Sequence, residues 1–125
     1  MILRGDKDGP NHSAAHIAAT KQALAARDLP EVVVVDASHG NSRKDHRRQA
    51  DVVADLAGQL AGGERAIRGV MVESNLVAGR QDLDRRHPGA LEYGKSVTDA
   101  CVDPATTERM LAELAEASRA RRAAG

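Results

Sequence analysis

Three short segments carry side chains able to hold a cation: Asp36-Ala37-Ser38-His39-Gly40-Asn41-Ser42, Gly69-Val70-Met71-Val72-Glu73-Ser74 and Tyr93-Gly94-Lys95-Ser96-Val97-Thr98-Asp99-Ala100-Cys101. Each places one metal-competent group (His39, Glu73 or Asp99) at or just beyond the end of an apolar, strand-like run. One imidazole and two carboxylates form a mixed nitrogen and oxygen donor set that suits a divalent metal. The three residues are 34 and 26 positions apart, close to one strand-helix repeat each. In a parallel sheet such repeats bring consecutive strand ends side by side, so distant residues meet on one rim.

Each candidate also has an ordinary role open to it. His39 lies among Ser38, Gly40 and Asn41, which leave room for a metal or substrate, but a lone loop histidine also serves structurally. Glu73 directly follows Val70-Met71-Val72, where burying a carboxylate is costly unless a cation or a strand-end salt bridge offsets it. Asp99 could equally close a turn or cap with Ser96 and Thr98. Arg4 ends a short apolar run before Gly5. Its planar fork suits a phosphate, and an ion pair with Asp6, Asp8 or Glu73 is the alternative. Lys95 either touches a substrate or pairs with Asp99. His12, His16, His46 and His87 read as surface or helix histidines, and Cys101 as a small buried residue.

The elements that must position these groups follow from pattern. Ile2-Leu3-Arg4-Gly5 reads as the tail of a strand, followed by a polar turn from Asp6 to Asn11. A helix capped by Ser13 or Asn11 should run to about Arg27, with Ile17 and Leu24 on one face, and end before Leu29-Pro30. Val32-Val33-Val34-Val35 is a β-branched run that predicts a strand covered on both faces. Ser42 is placed to cap a second helix carrying Val52, Val53, Leu56 and Leu60 and stopping at Gly62-Gly63. Residues 66–73 predict a third strand, and 74–98 a long polar connection. Asp103 as cap and Pro104 at the first helical position open the last helix, with Met110, Leu111 and Leu114 as its buried stripe. Arg119, Arg121 and Arg122 suit the end of its dipole. The order β-α-β-α-β-loop-α predicts a parallel α/β architecture.

Composition narrows the class. The 125 residues are 42% hydrophobic with Tyr93 as the sole aromatic, so the core must be aliphatic. Eighteen basic residues balance eighteen acidic ones, which argues against a general nucleic-acid binder. The basic run from Arg43 to Arg48 reads as a solvated helix face broken by Asp45. A single cysteine excludes an internal disulfide framework. The apolar runs fall far short of the ~20 residues that cross a bilayer, so a cytoplasmic protein without a membrane partner is expected.

The same segments, with Ile2-Leu3-Arg4-Gly5, Pro10-Asn11 and Ala61-Gly62-Gly63-Glu64, closely resemble the C-terminal part of type I 3-deoxy-D-arabino-heptulosonate 7-phosphate (DAHP) synthase. The likeness covers essentially the whole chain, in the family's order and spacing. It implies about three parallel strands alternating with three helices, the C-terminal part of a (β/α)8 TIM barrel, with residues 1–125 as one portion of a single barrel domain. Such a barrel needs about 250 residues, so the resemblance implies a fragment whose N-terminal partner portion is absent. The implied reaction condenses phosphoenolpyruvate with erythrose 4-phosphate at the entry to the shikimate pathway. The implied cofactor is a divalent metal cation (Mn, Fe, Co or Zn). Three of the family's four ligands map onto His39, which is also the catalytic candidate, Glu73 and Asp99. Arg4 maps onto the arginine that grips the phosphoenolpyruvate phosphate. The fourth ligand, a cysteine, and most substrate contacts would lie in the absent portion. The intact enzyme is expected to be a homo-oligomer. Asp6 stands where the family often has a second glycine, and His12 where it often has tyrosine. A free-standing half-barrel that binds a metal or phosphate without catalysis is the alternative function.

Overall fold

The structure is a computed structural model describing residues 1–125. Strand β1 (Ile2–Leu3) is followed by helix α1 (Ala14–Ala25), strand β2 (Val33–Asp36), helix α2 (Gln49–Ala61) and strand β3 (Ile67–Met71). A second pair of short strands, β4 (Val77–Arg80) and β5 (Lys95–Ser96), precedes the long helix α3 (Pro104–Ala123). The first three strands form one parallel sheet in the order β1-β2-β3, with Ile2 opposite Val34 and Asp36 opposite Met71. Parallel strands need crossovers, and α1 and α2 supply them.

One face of this sheet is packed. Leu3, Val33, Val35 and Ile67 meet Ile17 of α1, Val52, Val53, Leu56 and Leu60 of α2, and Met110 and Ala117 of α3 in one aliphatic core. Fully burying a side chain such as Leu56 is worth roughly 1.5–3 kcal/mol. The other face lies open. Ile2, at 65% exposure, and half-buried Val34 share it by register, because alternate strand residues point to opposite sides. The expectation that Val32 to Val35 are covered on both faces is therefore corrected: helices cover only one side.

The loops leaving β1 and β2 are bound together. Asn41, buried, donates from Nδ2 to the carbonyls of Leu3 and Asp36 at 3.2 and 2.8 Å, and its Oδ1 accepts from the Asn11 amide at 2.7 Å. Asn11 Oδ1 in turn accepts from the Gly5 amide at 2.8 Å. The two loops touch backbone to backbone. A Cβ on Gly5, which has φ +73°, would lie 2.5 Å from the Gly40 carbonyl carbon, so only glycine allows the approach.

Several local expectations change. Ser13 occupies the N-cap position of α1, but its hydroxyl bonds His16 rather than the helix amides. Ser42 does not cap α2. A 3-10 turn (His46–Arg48), capped by Asp45, precedes that helix, and Arg43 and Lys44 take left-handed φ values. The basic run is thus split between a left-handed turn and the 3-10 turn rather than forming a face of α2. The 74–98 connection contains β4 and β5, paired in parallel with Val77 opposite Lys95. Asp103 caps α3 as expected, its carboxylate accepting from the Thr106 amide. Leu111 is exposed, however, and Ala117 takes its place beside Met110. No helix is long and apolar enough to cross a membrane.

Candidate metal centre

His39, Glu73 and Asp99 converge beyond the C-terminal ends of β2 and β3. One potential ligand atom from each lies within 4.8 Å of the others. His39 Nε2 is 3.6 Å from Glu73 Oε1 and 3.8 Å from Asp99 Oδ2. A cation with ligand bonds of about 2.0–2.2 Å fits between donors spaced in this way. The three residues border a small cavity of about 40 Å³, with Lys44, His46 and Gln49 on its wall.

Each ligand candidate is placed by a different device. His39 sits in the tight turn after β2 with φ +44°, and its Nδ1 lies 2.7 Å from Asp36 Oδ2. Asp36 is buried at the last position of β2, and its other oxygen accepts from the Ser38 amide and hydroxyl at 2.8 and 2.6 Å. Glu73 is clamped through its main chain. Its amide donates to Gln49 Oε1 at 2.8 Å, and its carbonyl accepts from Gln49 Nε2 at 3.2 Å. Gln49 is the first residue of α2 and completely buried.

Asp99 comes from the loop after β5, and main-chain bonds tie that loop back to Glu73. The Val102 amide donates to the Glu73 carbonyl at 2.9 Å, and Gly79 and Cys101 exchange both amide bonds. Asp99 itself is 68% exposed, so it is the most displaceable of the three.

The electrostatics of the site favour a cation. Burial pushes the Glu73 carboxyl above its usual range. His39 opposes that shift, while Asp99 and Asp36 add to it. Burial, followed by the Glu73 carboxylate, also raises the Cys101 thiol, which agrees with its reading as a buried neutral side chain. Three carboxylates around one imidazole repel each other unless a positive ion enters. A divalent metal therefore fits these donors, both by atom type and by charge.

Arg4 stands on the same rim, its carbonyl accepting from the Asn41 amide at 3.3 Å. Its side chain is exposed, and none of its suggested ion pairs with Asp6, Asp8 or Glu73 forms within 4.0 Å. Lys95 pairs with Glu92 at 3.1 Å rather than with Asp99. Among the remaining histidines, His12 bonds Asp55, His16 bonds Ser13 and His87 bonds Asp84, while His46 borders the cavity.

Sequence reasoning missed Asp36 and Gln49. The Asp36-Ala37-Ser38-His39 spacing was a usable signal, because a carboxylate three residues before a histidine across small residues can turn back onto the ring. Gln49 had no local signal, since its partner lies 24 residues away.

The DAHP synthetase I family matches residues 1–112. The chain belongs to that family. It is 52% identical over 122 residues to the Phe-sensitive phospho-2-dehydro-3-deoxyheptonate aldolase of Escherichia coli, covering 98% of this chain and 34% of that protein. It is 50% identical over 129 residues to the phospho-2-dehydro-3-deoxyheptonate aldolase of Corynebacterium glutamicum, covering 99% and 34%. Among solved structures, the phospho-2-dehydro-3-deoxyheptonate aldolase of Francisella tularensis superposes with a TM-score of 0.90 at 48% identity, over 96% of this chain and 34% of that one. The chain thus spans about a third of the length of the relatives it matches. Its fold is the α/β fold of a partial (β/α)8 barrel, with parallel strands and three helices.

Proposed function

We propose that this chain supplies the metal-holding C-terminal portion of a DAHP synthase barrel domain, which condenses phosphoenolpyruvate with erythrose 4-phosphate. The observation that carries this reading is the convergence of His39, Glu73 and Asp99 within 4.8 Å in a chain of this family. In the reaction, the methylene carbon of phosphoenolpyruvate bonds to the aldehyde carbon of erythrose 4-phosphate. Water then adds to the neighbouring carbon, and the C–O bond to phosphate breaks. A bound divalent cation (Mn, Fe, Co or Zn) supplies Lewis acidity toward a carbonyl oxygen.

The chain's own residues hold and orient. His39 offers Nε2, Glu73 an oxygen two residues past β3 on main chain clamped by Gln49, and Asp99 an exposed oxygen on a loop. Arg4, with its side chain free of ion pairs, grips the phosphate of phosphoenolpyruvate through a bidentate fork and supplies part of the cationic field that two anionic substrates need. The remaining contacts, a fourth ligand among them, come from the portion of the barrel that the relatives carry in their other two thirds. The complete enzyme works as a homo-oligomer in the cytoplasm.

A chimera tests this. The corresponding C-terminal third of the Escherichia coli relative is replaced by this chain, and phosphate release is followed with each substrate varied in turn. The chimera is expected to turn over, His39→Ala to abolish turnover, and Arg4→Ala to raise the KM for phosphoenolpyruvate about tenfold with little change for erythrose 4-phosphate. Charge-assisted hydrogen bonds of ~1.5–3 kcal/mol set that size. The isolated chain is expected to show no turnover. A folded chimera that binds metal yet releases no phosphate would contradict the proposal.

A further inference from the structure

We propose that Asp36 is a positioning residue that dictates which nitrogen of His39 faces the metal. The inference rests on the metal-centre reading above and adds to it a buried residue outside the ligand set. Asp36 Oδ2 lies 2.7 Å from His39 Nδ1, well within hydrogen-bond range. Glu73 and Asp99 lie 3.6 and 3.8 Å from Nε2, beyond that range. The Asp36 carboxylate accepts, and Ser38 Oγ, also 2.7 Å from Nδ1, gives its own proton to Asp36 Oδ1, so both neighbours of Nδ1 accept a ring proton there and Nε2 is the nitrogen left facing Glu73 and Asp99. Metal-binding histidines commonly donate their second ring N–H to a carboxylate in this way, which sets ring orientation and raises ligand basicity.

Asp36 is itself held in place. Its Oδ1 accepts two bonds from Ser38, its carbonyl accepts from Asn41 Nδ2 at 2.8 Å, and its side chain is only 4% exposed. Every oxygen of the residue is thus engaged, and the carboxylate cannot swing away to become a ligand. His39 takes a left-handed φ of +44° in the same turn. The pairing therefore stands without the ion. Ring orientation is set by burial and hydrogen bonding at the end of β2.

The test uses the full chain with ¹⁵N-labelled histidine and Zn²⁺ alone as the probe. Long-range ¹H–¹⁵N correlation of the metal-free protein is expected to show His39 protonated at Nδ1. Calorimetric titration is expected to show Asp36→Asn binding Zn²⁺ about 10–100-fold more weakly, the usual cost of losing such an outer partner. Asp36→Ala is expected to add a mixture of His39 tautomers. A wild-type His39 with no proton on Nδ1, or Asp36→Asn affinity within about twofold of wild type, would overturn the proposal. The tautomer reading needs no variant and no metal, so it decides the role of Asp36 even if the chain binds no Zn²⁺. That last result would count against the metal centre instead.

Discussion

Glu73 carries the clearest electrostatic signature of the proposed metal centre. Its carboxyl is raised above the ordinary glutamate value of 4.5 first by burial, and the neighbouring Asp99 and Asp36 add to the shift. The sign of the consequence is definite. A raised acid binds its proton more tightly in the folded chain, so ionised Glu73 costs stability above its folded pKa, and the cost disappears as pH falls toward 4.5. Glu73→Gln is therefore expected to stabilise the metal-free chain at pH 7–8 in urea melts, with the gain vanishing near pH 4.5. The same variant should lose more than about a hundredfold in Zn²⁺ affinity, exceeding the 10–100-fold of an outer-partner loss. Unchanged affinity would remove Glu73 from the ligand set. Much of this residue chemistry was readable in the sequence, because a charged group directly after an apolar strand must find a partner. His39, Glu73 and Asp99 could be named from spacing and resemblance. Asp36 was missed although its place three residues before His39 was a usable signal; the burial of its carboxylate under Ser38 and His39 is what only the structure shows.

The elements position these groups through contacts that periodicity does not encode. The β-α-β-α-β order, the Ile17 and Leu24 face of α1 and the Asp103-Pro104 start of α3 followed from local pattern. The start of α2 did not, because Arg43 and Lys44 adopt left-handed turn geometry that hydrophobic spacing cannot reveal. Asp45, not Ser42, supplies the cap. β4 and β5 were also hidden: they are short, partly polar and stabilised by pairing across 18 or so residues rather than by their own pattern. Gln49 shows what such long-range contacts do. Its amide mimics a neighbouring strand by bonding both the amide and the carbonyl of Glu73. Gln49→Leu keeps the volume but leaves the Glu73 amide without a partner, so a loss of about 1–3 kcal/mol is expected in urea melts. Metal affinity should fall with it, because Glu73 loses its anchor. Full stability with full affinity would show that Gln49 only fills space.

The molecule as a whole has a finished face and an open one. α1, α2 and α3 seal one side of the β1-β2-β3 sheet, while Ile2, Val34 and Met71 look out from the other. Open parallel sheets with exposed apolar faces and free edges tend to pair with further chain. Sedimentation of the isolated chain is expected to show concentration-dependent association, reduced in an Ile2→Lys variant. A strict monomer at all concentrations would mean that this face is stable in water. The uneven burial of Val32 to Val35 has the same origin, because an apolar run records that a strand can be covered but not by which part of the molecule. The proposed metal centre lies beyond the C-terminal ends of β2 and β3, where both strand ends and the Asp99 loop meet. X-ray absorption at the metal edge of a one-to-one Co²⁺ complex tests that claim most directly. The expected result is a first shell of imidazole nitrogen and carboxylate oxygen at about 2.0–2.2 Å, with the imidazole signature lost in His39→Ala. A shell without imidazole in the wild-type chain, or one unchanged by His39→Ala, would contradict it.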